Sequence, residues 1–158
     1  MSATEHGRAR TLPGQRAANR VVRGLLRVPG VSRLVGRRLV TLYVVGRSTG
    51  RRYTIPVAYE PDGGSLLVGT PFAWARNLRT GDELEVRLRG RRRRCDVEVF
   101  TDEAEVVAAY TRMARANPAF ASFNSVRRGA DGEPDRQDVT AAWRGGARVI
   151  RLTPRAAG

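Results

Sequence analysis

Between Leu39 and Phe100 the chain keeps a two-residue period that short glycine-bearing turns break at close intervals. Tyr53, Ile55, Val57 and Tyr59 fall on one face of an extended segment, as do Leu84, Val86 and Leu88, and then Cys95, Val97 and Val99. Side chains leave a strand by alternate faces, so this spacing describes strands buried on one side. Leu39–Val45 is nearly all apolar and reads as a strand buried on both faces. The breaks are Gly46–Gly50, the hairpin signal Pro61-Asp62-Gly63-Gly64, Thr80-Gly81 and Gly90. Turns this short join antiparallel neighbours and leave no room for the crossover helices of a parallel sheet. With Ser65–Thr70 and Ala147–Thr153 added, the pattern predicts about six antiparallel strands in a mainly β barrel with added helices.

Local chemistry refines that outline. Pro56 removes a ladder donor, which assigns its strand to a sheet edge or a bulge. In the hairpin around Gly90, setting Leu88 opposite Cys95 places Arg87 against Asp96. A tighter turn sets Glu85 there instead, and like charges directly opposite are unfavourable, so the looser register is expected. Arg91–Arg94 then crowds a loop tip, more readily solvated than closed on an anion. Pro71–Arg79 reads as a short helix. Thr101 caps a longer one, whose dipole Asp102, Glu103 and Glu105 complement and whose buried stripe is Val106, Tyr110 and Met113. Asn117-Pro118 ends it. Residues 125–146, polar and acidic around Gly129–Asp138, read as a loop insertion.

Charge separates the N-terminal third from the rest. The chain carries 29 basic residues, all arginine, against 15 acids. Residues 1–52 hold 12 arginines and one acid, whereas 53–158 hold 17 arginines and 14 acids. Arg16, Arg20, Arg23 and Arg27 would align on one helical face, with Ala18, Val21, Val22 and Leu25 on another. Residues 1–38 are therefore expected to be a basic tail with an amphipathic helix. Either the stretch 16–38 rests on an anionic membrane surface, or it docks on a barrel spanning 39–154 with its arginines in water. The expected location is the cytoplasm, with peripheral contact at the inner face of the membrane in the first case.

What the chain lacks is also informative. His6 is the sole histidine and sits in the polar tail; Cys95 is the sole cysteine. That excludes histidine-based triads, a disulfide framework and a dithiol pair, and no metal site is expected. An enzyme with this inventory takes its reactive chemistry from a bound cofactor.

Gly46-Arg47-Ser48-Thr49-Gly50-Arg51-Arg52 is the most chemical stretch, since backbone N–H groups at a glycine turn, two hydroxyls and three guanidiniums suit a phosphate or carboxylate. It lacks the lysine and spacing of a P-loop. Its context is Gly46, Arg47, Thr49 and Gly50, then Pro56 in the next strand, Asp62-Gly63 at the hairpin, and Trp74, Asn77 and Leu78 in a Trp-x-x-Asn-Leu run. That combination resembles the deazaflavin-dependent nitroreductase and quinone reductase family, over roughly Leu39 to Asn124 and again at Leu152-Thr153-Pro154.

The resemblance implies a split β-barrel of the flavin-reductase type. It also implies an oxidoreductase passing a hydride from a reduced 8-hydroxy-5-deazaflavin (coenzyme F-420) to a quinone, nitroaromatic or enone. On that model Arg47, Ser48 and Thr49 hold the cofactor's anionic tail, and Tyr53, Thr54, Ile55, Pro56, Val57 and Ala58 line its chain and ring. Gly69, Thr70, Trp74 and Asn77 close the other side, and Trp74, Phe120 and Phe123 wall the substrate pocket. The expected partners are a small-molecule substrate and a second copy of the chain. Three departures stand out. Gly69-Thr70-Pro71-Phe72-Ala73 replaces a Lys-Gly-Gly loop, Ser48 stands where lysine is frequent, and Phe120 and Phe123 replace tyrosines. FMN is the alternative cofactor; a barrel for haem or a lipid and a cofactor-free biosynthetic enzyme are related readings. A nucleic-acid-binding module is the rival class, but the near-neutral body and absence of a reader motif oppose specific nucleic-acid binding.

Overall fold

The computed structural model describes residues 38–156, so all but Arg38 of the basic segment 16–38 lies outside the described residues. Seven strands form one antiparallel sheet: β1 (Leu39–Val45), β2 (Arg52–Ala58), β3 (Glu60–Asp62), β4 (Ser65–Thr70), β5 (Glu83–Leu88), β6 (Arg91–Phe100) and β7 (Arg148–Pro154). Their order is β2-β1-β5-β6-β7-β4-β3. The two edge strands, β2 and β3, are consecutive in the chain with only Tyr59 between them. One bent segment therefore links both edges and curls the sheet into a split β-barrel with added helices. The strand beyond the expected six is β3, which carries the β2 chain past the bend into the Gly63-Gly64 hairpin. Pro56 does lie on an edge strand, opposite Thr41.

Two apolar clusters share this sheet. The barrel interior takes Val40, Leu42 and Val44 of β1, Ile55 and Val57 of β2, Leu84 and Val86 of β5, and Cys95 and Val97 of β6. Burial pushes the Cys95 thiol up to about 11, so it packs as a small neutral side chain. Leu67, Phe100 and Val149 face the other way, under the helices. β1 departs from the both-faces-buried expectation, because its burial alternates and Leu39 and Val45 are 36% and 52% exposed. No sequence signal in β1 itself distinguishes the wall that helices cover from the wall they leave open.

The helices are α1 (Glu103–Ala116), α2 (Pro118–Phe123) and α3 (Arg136–Arg144). Asp102, one residue after the expected Thr101, caps α1 by accepting the Glu105 N–H at 3.1 Å. Val106, Tyr110 and Met113 form the buried stripe as the spacing predicts. Asn117 ends α1 and caps α2, with Pro118 at the first helical position. Helix α3 falls inside the stretch expected as a loop. Its polar sequence offers one fully buried anchor, Val139, and its entry is held by Arg127 pairing with Asp138 at 2.8 Å.

The β5–β6 hairpin corrects the expected register. Leu88 pairs with Arg91 and Leu84 with Cys95, so Arg91–Arg94 is strand and the turn is Arg89-Gly90 alone. Both turn residues have positive φ, 49° and 78°, as a two-residue hairpin of this hand requires. Glu83 consequently faces Asp96. Arg155, arriving from beyond β7, donates to Asp96 at 2.9 Å and approaches Glu83 at 3.2 Å, which offsets the repulsion.

Gly69 in β4 is where the barrel touches the α1–α2 corner. A β-carbon there would lie 2.9 Å from Met113 Cε, Phe120 Cζ and Tyr110 Cε2. Gly69→Ala is therefore expected to destabilise the fold by about 1–3 kcal/mol, read from denaturant midpoints. Phe120→Tyr should do the same, because its new hydroxyl would extend from Cζ toward the Gly69 backbone. An unchanged midpoint in both variants would mean the corner is looser than this packing.

Candidate functional site

The turn Gly46–Arg52 largely satisfies itself. The Gly46 N–H donates to the Arg51 carbonyl at 2.7 Å, the Gly50 N–H to the Gly46 carbonyl at 2.8 Å, and the Arg51 N–H to Thr49 Oγ1 at 3.3 Å. Arg47 is committed as well. Its N–H reaches Asn77 Oδ1 at 3.0 Å, its Nε the Asn77 carbonyl at 2.9 Å, and its terminal nitrogen Asp82 at 2.6 Å. Of the expected nest, the N–H groups of Gly46, Gly50 and Arg51 are thus spent within the turn, and that of Arg47, with its guanidinium, ties the turn to Asn77 of the 3-10 turn Ala73–Asn77 and to Asp82 beyond it. Ser48, Arg51 and Arg52 remain exposed at this end, and none of the three is among the described ion pairs.

Trp74 and Asn77 are likewise built into the scaffold. Trp74 is 5% exposed and belongs to the barrel interior. The Asn77 amide donates to the Trp74 carbonyl at 3.0 Å while its oxygen accepts from Arg47. Thr70 is 3% exposed, and its hydroxyl accepts the Phe72 N–H at 3.1 Å. Ile55 and Val57 point into the barrel, at 4% and 6% exposure. Their side chains cannot line a surface ligand, although the backbone of their strand can. Tyr53 is half-buried and packs against the barrel interior.

What β2 offers is its outer face and open edge. Arg52, Thr54, Pro56 and Ala58 alternate on the face away from the barrel interior, and among the described residues no strand pairs with the far side of β2. An edge strand presents backbone donors and acceptors to whatever lies beside it. At ~3.3 Å per residue the strand runs roughly 20 Å from Arg52 to Ala58. Beyond Ala58 the chain bends, and Ala58, Tyr59, Glu60, Met113, Asn117 and Phe120 enclose a crevice of about 10 Å³, room for one water. Phe123 stands near this corner with its ring 6.0 Å from that of Phe72.

The phenols close to Phe120 are withdrawn from solvent. Tyr59 is 5% exposed. Tyr110, whose ring meets Phe120 edge-on at 5.0 Å, is fully buried; burial pushes its pKa upward and its hydroxyl has no hydrogen-bond partner among the described residues. Sequence reasoning placed Tyr110 in the core correctly but gave no sign of the unpaired hydroxyl, which depends on what the fold sets around it. Met113 and Asn117 were equally invisible as crevice residues. Their parts in α1 packing and helix capping account for them without the β2 bend.

No protein-family model and no curated protein matches the chain. Among solved structures, a protein of unknown function from Agrobacterium tumefaciens is similar at a TM-score of 0.50 and 14% identity, over 82% of this chain and 56% of that one. The chain thus spans little more than half the length of that protein. A pyridoxamine 5'-phosphate oxidase-related, FMN-binding protein from Nostoc punctiforme gives 0.49 and 16% identity over 98% of this chain and 83% of that one. A conserved hypothetical protein from Mycobacterium tuberculosis gives 0.45 and 12% over 82% of each. The likeness to the Agrobacterium tumefaciens protein speaks to fold alone, and function has to be argued from the site.

Proposed function

We propose that this barrel is an oxidoreductase that binds a reduced 8-hydroxy-5-deazaflavin along strand β2 and reduces a planar, electron-poor acceptor. The observation that carries the reading is the polarity of that strand. Among the described residues Arg51, Arg52 and Ser48 are exposed and outside any ion pair at one end, Ala58, Met113 and Phe120 put apolar surface at the other beside Asn117 and the Arg38–Glu60 pair, and an unpaired edge of roughly 20 Å lies between them. An elongated cofactor with an anionic tail and a planar ring has the complementary layout. The arginine roles shift accordingly: Arg51 and Arg52 hold the tail, while Arg47 shapes the turn that presents them.

When bound, the deazaflavin supplies hydride. The chain's own residues supply binding and exclusion of water. The guanidiniums of Arg51 and Arg52 make charge-assisted contacts to carboxylate or phosphate, the β2 edge offers backbone hydrogen bonds, and Phe72, Phe120 and Phe123 shed water from the ring end. Among the described residues no unengaged side-chain acid stands there, since Tyr59 and Tyr110 are buried and the Glu60 carboxylate accepts from Arg38 at 3.0 Å.

Proton donation by a positioned side chain typically contributes 10²–10⁴-fold. Quinones should therefore be reduced faster than simple enones, which depend more on a proton delivered with the hydride. Steady-state turnover of both acceptors with the reduced deazaflavin tests this. Phe123→Tyr, whose ring is not jammed against Gly69, should raise the enone rate more than the quinone rate. Equal wild-type rates on the two acceptors would show that a proton donor is present, and turnover of neither would remove the oxidoreductase reading.

A further inference from the structure

The β5–β6 hairpin carries six arginines and no acid within Arg87–Arg94, and all six are exposed. Arg92 and Arg94 are engaged: Arg92 donates to Glu85 at 2.6 Å and lies 5.0 Å over the Tyr43 ring, and Arg94 donates to Glu83 at 3.0 Å. Among the described residues Arg87, Arg89, Arg91 and Arg93 belong to no ion pair. The hairpin holds this charge against its own stability in two places. Arg87 pairs directly opposite Arg92, a like-charge cross-strand pair. Arg89 has a φ of 49° at the first turn position, where asparagine or glycine fits with less strain.

Topology gathers these arginines at one end of the barrel. Arg87 and Arg92 lie on the outer face with Tyr43, whereas Arg91 and Arg93 alternate with Cys95 on the opposite face. β7 pairs with β6 only from Cys95 onward, so among the described residues no strand flanks Arg91–Arg93 on that side. The charge therefore surrounds the hairpin end, and a partner meets it end-on. β1 begins at the same end, because Val40 pairs with Leu88. The exposed Leu39 stands there, and eight more arginines against the single acid Glu5 precede Arg38 in the chain.

We infer that this end of the barrel is a docking face for an anionic bilayer, with Arg87, Arg89, Arg91 and Arg93 against headgroup phosphates and Leu39 at the interface. Clusters of four or more cations are drawn to the negative potential of such a surface, and an apolar side chain among them adds contact. The barrel itself makes this contact, apart from the stretch 16–38, and the contact needs neither the deazaflavin nor turnover. A nucleic acid is the weaker match. Its major groove admits a two-stranded ribbon, but β5 is bonded to β1 as far as Leu88, so only Arg89-Gly90 stands beyond the barrel wall.

The test is co-sedimentation of the full chain with phosphatidylcholine vesicles, with and without phosphatidylglycerol, at physiological ionic strength. Binding is expected to the anionic vesicles only. Arg89→Asn with Arg91→Gln should lower the partition constant about tenfold or more, since each cation near such a surface contributes several-fold. That variant should melt no lower than the wild type, because Asn-Gly is the favoured turn. Arg87→Gln with Arg93→Gln should lose as much binding and leaves the turn untouched. Arg79→Gln with Arg144→Gln removes the same charge at the other end of β6, where the Thr80 hydroxyl accepts the Val99 N–H and β7 begins. The two ends are roughly 30 Å apart, several Debye lengths, so this variant should stay within about twofold of the wild type. The proposal is overturned if the wild type ignores anionic vesicles, if both hairpin variants bind like the wild type, or if the far-end variant loses as much as they do. Hairpin losses seen only in a parallel titration of duplex DNA would overturn it as well.

Discussion

Trp74→Ala will cost about 3–5 kcal/mol of folding stability, the range for truncating a large buried aromatic. At roughly 3 °C per kcal/mol for a domain of this size, the thermal midpoint should fall by about 10 °C or more. The reason is position: Trp74 is 5% exposed and packs among the barrel's own strand residues. The resemblance assigns this tryptophan to the wall of a cofactor and substrate site. A variant that melted like the wild type and lost only ligand binding would restore that assignment and contradict the packing.

The second large effect is expected at the β1–β2 turn. Removing both Arg51 and Arg52 should weaken deazaflavin binding by about 10²-fold, since charge-assisted contacts contribute about 1.5–3 kcal/mol each and their losses need not add fully. The fold should be unaffected, because both side chains are exposed and outside the described ion pairs. Arg47→Ala should behave in the opposite way. It breaks contacts to Asn77 and Asp82 that pin the turn, and with both partners about one-third exposed the loss is discounted to ~1–2 kcal/mol of stability. Equilibrium titration and denaturant melts on the same preparations separate the two. A tight-binding double variant beside a stable but non-binding Arg47→Ala would put the tail back on Arg47.

The contrast shows what the sequence could carry. Hairpin turns, strand periodicity and the α1 stripe are local, and Gly63-Gly64, Ser65–Thr70 and Val106-Tyr110-Met113 were all legible from spacing alone. The β5–β6 register was not. The pairing of Glu83 with Asp96 is tolerated because of Arg155, some sixty residues away, which no argument confined to the hairpin can see. Helix α3 was missed because its polar composition reads as loop, although Val139, Ala142 and Trp143 stand at the i, i+3, i+4 spacing of one short apolar stripe. For the site, the arginine-rich turn was visible as chemistry, but which arginine is free depends on Asn77 and Asp82 reaching back to claim Arg47. Phe120 illustrates the same limit. Its residue type suggests a site that has lost a phenol, whereas the para position actually points at Gly69.

The most direct test of the central claim is cofactor retention. The chain is incubated in parallel with the deazaflavin, FMN and haem, desalted, and read by absorbance. A barrel that uses β2 as proposed retains the deazaflavin at close to one per chain, and the Arg51 and Arg52 double variant loses it on the same column. Retention of none of the three, or of haem alone, would contradict a deazaflavin site on this strand.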